Sequence, residues 1–163
     1  MFAITNARAY REKTEADLAR FLQQSGDSGL AVNAVTSAYH LHEWLWAHEL
    51  KKCNPAILRG TLIGSIDDFK KWLDANCPYF KLVQDLTNGS KHAAPVFKGK
   101  TKMVDGYDEG PIDVGPWDEP YLLIDLGAGG NSLYGGTKQY LLASEVIRQA
   151  GEFMIAVAKE VGA

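Results

Sequence analysis

The chain is short of cysteine and of unbroken apolar sequence, and each shortage closes off a class of protein. Cys53 and Cys77 are the only thiols in 163 residues, with no CxxC spacing between them. A disulfide scaffold or a thiolate metal knuckle is therefore not expected, and two reduced cysteines fit a cytoplasmic protein. No apolar run approaches the roughly 18–20 residues that span a bilayer, nor is there a signal-peptide stretch, so no membrane partner is expected. There is no Gly-x-x-x-x-Gly-Lys-Ser/Thr phosphate loop and no Asp-x-Asp-x-Asp-Gly calcium loop. Internal repeats and low-complexity segments are also missing.

A chain of this length can bury roughly 70% of its unfolded surface, enough for one domain over residues 1–163 without a staple. The net charge of −3 hides an asymmetry: residues 1–102 balance at +4 and residues 103–163 at −7. Binding of polyanions by the whole surface is thus disfavoured, whereas a local basic patch on the first part is allowed.

Apolar spacing predicts a helix over 6–24, a second over about 29–53 capped by Ser28, and a short third after Ser65-Ile66-Asp67-Asp68. A fourth runs from Pro78 to about Thr87, stopped at Asn88-Gly89, since both residues tolerate positive φ. From Pro95 the pattern changes to strands, Val96 to Val104 and Tyr121 to Leu126, around a loop rich in glycine, proline and acid. Helical spacing returns over 138–161. The expectation is a mainly α bundle of four to five helices with a small antiparallel β insertion, 95–136, before the last helix. Tyr107, Trp117, Tyr121 and Tyr134 would pack the insertion on the bundle or on a second subunit.

Three stretches invite chemistry. Leu123 to Asn131 looks like the Gly-rich turn of an S-adenosylmethionine methyltransferase, but that fold needs further strand–helix units after it, so the turn is read as structural and no cofactor is expected. His40, His42, Glu43, His48 and Glu49 suggest a metal. His42 and His48 are six apart, however, about 240° around a helix, where a zinc helix needs four. His40 and Glu43 share one face, as do His42 and Glu49, and the expectation is partly buried polar groups pairing within or between helices, with Trp44 and Trp46 packing beside them and no metal. The third stretch, Asp85-Leu86-Thr87-Asn88-Gly89-Ser90-Lys91-His92, gathers a carboxylate, an amide, an ammonium and an imidazole at the end of an apolar helix. Each has a local alternative: Asp85 bonding a nearby lysine, Asn88 as a helix stop, His92 closing a loop.

That third stretch, with Asn33-Ala34-Val35, Tyr39-His40-Leu41 and Glu43-Trp44-Leu45-Trp46 before it, resembles a group of bacterial proteins sharing Asp-x-x-Asn-x-x-Lys-His. The group is in turn similar to the HEPN superfamily of helical nucleotide-binding domains common in toxin and defence systems. The resemblance implies a HEPN-like bundle and a homodimer with its motifs facing across the interface. Active members are metal-independent ribonucleases built on an arginine, a polar residue and a histidine. Here His92 matches the histidine and Asn88 the polar residue, but Thr87 stands where the arginine would stabilise the pentavalent phosphate. Lys91 offers a point charge instead.

Lys98, Lys100 and Lys102 stand at period two, so a strand directs all three to one face, next to Lys91 and His92. An edge strand also carries lysines simply to prevent aggregation. The leading expectation is a degenerate HEPN-like module that binds an anionic ligand (RNA or nucleotide) or a protein partner through Asp85, Asn88, Lys91, His92, Lys98, Lys100 and Lys102. The alternatives are a ribonuclease with His92 as general acid/base and Lys91 as its cation, or a purely structural interaction protein.

Overall fold

The computed structural model describes residues 4–53, 55–91, 99–105, 110–111, 114–116, 118–130, 134 and 136–163. Five α-helices are found among them: α1 (Ala7–Gln23), α2 (Ser28–His48), α3 (Ile66–Asn76), α4 (Phe80–Lys91) and α5 (Ala143–Glu160). Two small antiparallel sheets interrupt the helices. A hairpin of β1 (Ala56–Leu58) and β2 (Thr61–Ile63) follows a 3-10 turn at Leu50–Cys53, and β3 (Lys100–Val104), β4 (Tyr121–Asp125) and β5 (Tyr140–Leu142) form the second.

Local chemistry explains most boundaries. Asn6 caps α1 by accepting from Ala9 N–H at 2.9 Å, and Asp27 caps α2 by accepting from Leu30 N–H at 2.8 Å. The expected cap Ser28 is instead the first helical residue. Ser65 caps α3 by accepting from Asp68 N–H at 3.1 Å, while its hydroxyl, and not its backbone N–H, donates to the Asp68 carboxylate at 2.8 Å, a local variant of the capping box. α2 is shorter than expected, and its last expected turn tightens into the 3-10 segment.

α2 is the central helix, packed by α1, α4, α5 and α3. Its residues Val35, Tyr39, Leu41 and Leu45 are buried, whereas Val32 is 43% exposed. The core continues through Phe21, Phe69, Leu73, Leu82, Val83, Met154 and Val157. A fully buried aliphatic of this size contributes about 1.5–3 kcal/mol, so this cluster dominates the stability of the fold.

Two expectations fail. Residues 138–142 are not helical: β5 pairs antiparallel with β4 in the register Leu123↔Leu142 and Asp125↔Tyr140 before α5 begins. The apolar residues Tyr140 to Leu142 suit either state, and the exposed edge of β4 decided between them. The second failure is the stop at Asn88-Gly89, which α4 passes to reach Lys91. Thr87 is fully buried with its hydroxyl donating to Val35 C=O at 3.3 Å, and Ser90 donates to Thr87 C=O at 2.8 Å. A mid-helix glycine costs only about 1 kcal/mol, and packing against α2 outweighs it.

In the three-stranded sheet, Ile124 joins the helical core while Val104, Tyr121 and Leu123 form a second small cluster on the opposite face. The insertion therefore packs on the bundle as expected for its aromatic content. Tyr107 and Trp117 lie outside the described residues.

Candidate functional site

Because α4 continues past Asn88, Lys81, Asp85 and Asn88 fall one turn apart along one side of it. Asp85 is 8% exposed and both its oxygens are occupied within the fold. Lys81 Nζ reaches Oδ1 at 2.6 Å, and the Tyr134 hydroxyl donates to Oδ2 at 2.9 Å. Burial first, and the bond to Asp85 second, push the Tyr134 hydroxyl up to about 12. At the preceding position on α4, Gln84 Nε2 donates to Tyr39 Oη at 2.8 Å, joining α4 to α2. Burial raises the Tyr39 hydroxyl as well, and the Gln84 bond opposes that rise. Asn88 is half-buried in the helix, so it is not its left-handed stop. Lys91 supplies the last helical turn, while His92 and Lys98 lie outside the described residues.

The arrangement does the work of a clamp. It ties the segment between β4 and β5 to α4, and α4 to α2, through partly buried hydrogen bonds that cost about 1–3 kcal/mol each if one partner is removed. Thr87, at the position of the resembled arginine, points into the core.

No family model matches the chain, nor does any curated protein or solved structure. The site has to be read from its own geometry.

The histidines of α2 go to separate environments. His40 Nδ1 lies 2.9 Å from Glu43 Oε2, as the spacing predicts. His42 does not meet Glu49. It is fully buried, with Nδ1 2.5 Å from Tyr39 C=O, its ring against Tyr39 and Phe80, and no partner for Nε2 among the described residues. Burial holds its imidazole below the ordinary value of 6.5. Glu49 pairs instead with Lys52 at 3.6 Å, and His48 stacks on Trp44, which stacks on Tyr10. The helix turns His42 inward because its neighbours Leu41 and Leu45 are core residues.

The lysines of β3 are placed as period two predicts. Lys100 and Lys102 share a face with their cross-strand neighbours Asp125 and Leu123, and both are exposed. Asp125 stands opposite Lys100, but its Oδ1 already accepts from Gly127 N–H at 2.8 Å and from Gln139 Nε2 at 3.5 Å. The Gly-rich turn is accounted for by backbone needs. Gly127, Gly129 and Gly130 have φ of 85°, 86° and 72°, and a Cβ on Gly130 would lie 2.5 Å from the Thr137 carbonyl carbon. The strand after that turn is antiparallel, where a methyltransferase needs a parallel one.

One cluster escaped the sequence reading. The Ser37 hydroxyl donates to Asp17 Oδ2 at 2.5 Å and accepts from Lys13 Nζ at 2.6 Å, while Lys13 also pairs with Asp17. Lys13 and Asp17 are an ordinary i,i+4 pair in the sequence, and nothing there signals that Ser37 of α2 closes the triangle. It joins α1 to α2 in the same way as Asp85 joins α4 to Tyr134.

Proposed function

We propose that this protein is a non-catalytic, HEPN-like binding module that takes an anionic ligand, RNA or a nucleotide, on the face of β3 carrying Lys100 and Lys102. The observation that carries the reading is the burial of Thr87. The position at which a ribonuclease of the resembled kind would present its arginine to phosphate is 0% exposed and bonded to Val35 C=O. Asp85, with Lys81 and Tyr134 on its two oxygens, serves in this reading to hold the β insertion in place. The exposed lysines of β3 supply phosphate attraction in this reading. His92 and Lys98 extend the same patch in sequence, and a homodimer is the assembly the resemblance implies.

The test is an RNA-cleavage assay in EDTA with the native protein and its His92→Ala variant on a mixed RNA pool. The proposal expects intact RNA from both. Cleavage by the native protein alone, leaving 2′,3′-cyclic ends, would establish the ribonuclease reading instead.

A further inference from the structure

β3 is one edge of the three-stranded sheet and β5 is the other. A cavity of about 450 Å3 lies along β5, within the size range of ligand pockets. All five residues from 138 to 142 line it. Alternate side chains of a strand point to opposite faces, so a cavity that meets five in a row runs along the edge of the strand and not over one face. Tyr79 and Val114 wall it on either side. Tyr79 packs with Leu141 on the helical core, and Val114 packs with Tyr140 and Leu142 on the small cluster across the sheet. Tyr79 is held at a φ of 58°, which costs a bulky residue about 1–3 kcal/mol, and strain of that kind clusters at binding sites.

The register fixes what this edge offers. Leu126 N–H donates to Gln139 C=O at 2.8 Å, and hydrogen-bonded pairs alternate along an antiparallel ladder, so Leu141 is the residue that exchanges bonds with β4, at Ile124. Tyr140 and Leu142 therefore aim their backbone groups away from β4. The Leu142 C=O is taken by the first turn of α5, of which Leu142 is the N-cap. Tyr140 N–H, Tyr140 C=O and Leu142 N–H are left, with no partner among the described residues. That row of donor, acceptor and donor is the pattern one more antiparallel strand completes. Among the described residues, Lys138 and Glu145 are the charged side chains that line the cavity. Glu145 is engaged by Arg148 at 2.8 Å and by Gln149, whereas Lys138 is exposed and forms no ion pair among the described residues. A second copy of the chain does not suit the place, because its own β5 is recessed between the same two walls.

We propose that β5 takes up an extended peptide segment of a partner protein as a fourth, antiparallel strand of the sheet. The peptide residue opposite Tyr140 exchanges two backbone hydrogen bonds with it, and the carbonyl of the residue opposite Leu142 accepts from Leu142 N–H. Apolar side chains at those two positions extend the cluster of Val104, Tyr121 and Leu123, and an acidic residue at the Lys138 end meets the free ammonium. The edge lies across the sheet from β3, so the proposal stands or falls independently of the ligand placed on the lysines there.

The probe is a fluorescein-labelled, amidated peptide Ser-Val-Thr-Val-Thr-Glu-Ser, titrated with the full chain and followed by fluorescence anisotropy. Leu142 is the informative position. Its φ of −75° already suits proline and its N–H faces away from β4, so Leu142→Pro removes one edge donor and leaves the ladder intact. Leu142→Val keeps the donor and controls for the altered side chain. Native protein and Leu142→Val are expected to bind saturably. Leu142→Pro should weaken binding roughly tenfold or more, as should N-methylation of the second valine of the peptide, which faces Tyr140. Lys138→Glu should weaken it severalfold, and lysine in place of the peptide glutamate should restore it. No saturable binding by the native protein, equal affinity of native and folded Leu142→Pro, or equal affinity for the plain and N-methylated peptides overturns the proposal. So does a native dimer at sedimentation equilibrium that Leu142→Pro dissolves, since that assigns the edge to a second copy.

Discussion

The Tyr134 hydroxyl donates to Asp85 Oδ2 across 2.9 Å, joining residues 49 positions apart in the chain and fastening the β insertion to α4. Both residues are buried, and Lys81 balances the carboxylate from the preceding turn. Asp85→Ala would remove the Tyr134 hydroxyl's bond to Oδ2 and the ion pair with Lys81, at a cost of about 1–3 kcal/mol. Tyr134→Phe should cost about 1 kcal/mol. Urea unfolding of the two single variants and the double variant should give a total smaller than the sum of the singles, because they remove one shared bond.

Restoring the resembled arginine should damage the fold and confer no activity. Thr87→Arg forces a guanidinium into a fully buried site that now holds a hydroxyl bonded to Val35 C=O. Overpacking and the unpaired charge together predict a loss of at least about 3 kcal/mol. Thermal unfolding and the RNA-cleavage assay check both halves. A stable Thr87→Arg variant that cleaves RNA would place residue 87 in an active site.

His42 predicts a pH dependence of stability. Burial lowers its folded pKa below the 6.5 of the unfolded chain, so on acidification the unfolded state takes up the proton first. Its contribution is therefore fully present above about pH 6.5 and is lost as pH falls toward the lowered folded value. The slope is at most about 1.4 kcal/mol per pH unit. Urea unfolding across pH 5 to 7.5 should show a shallower slope for His42→Leu than for the native protein.

The Gly-rich turn offers a contrast between two glycines. Gly130→Ala combines a φ of 72° with a Cβ 2.5 Å from the Thr137 backbone, whereas Gly127→Ala, at φ 85°, meets open space. The first should destabilise by more than about 2 kcal/mol, and the second by about 1 kcal/mol. Equal losses in chemical denaturation would show that packing around the turn carries no weight.

Much of the helical frame was legible because its signals are local. Asn6 before α1, Ser65 and Asp68 at α3, and the stripe of Val35, Tyr39 and Leu45 can all be read within one or two turns. The β1–β2 hairpin was missed because Arg59-Gly60 is not a usual turn pair and three-residue strands carry almost no periodicity. β5 was missed because its state is settled by β4, which is distant in sequence. At the candidate site, Lys81 as a local partner for Asp85 was within reach of i,i+4 reasoning. Tyr134 was not, since only the folded chain brings the two together. Asn88-Gly89 misled for a related reason: turn propensity was read without the contact of Thr87 with Val35 that holds the helix through it.

The central claim is that Asp85 on α4 belongs to a structural clamp and that the β3 face binds phosphate without cleaving it. Its most direct test is the fluorescence anisotropy of a short labelled RNA titrated in EDTA with native protein, with Asp85→Asn, and with Lys100→Glu combined with Lys102→Glu. The account predicts saturable binding by the native protein, similar affinity for folded Asp85→Asn, loss of binding in the lysine pair, and full-length RNA recovered throughout. Binding that depends on Asp85 and ignores the two lysines, or RNA recovered with 2′,3′-cyclic ends, would contradict it.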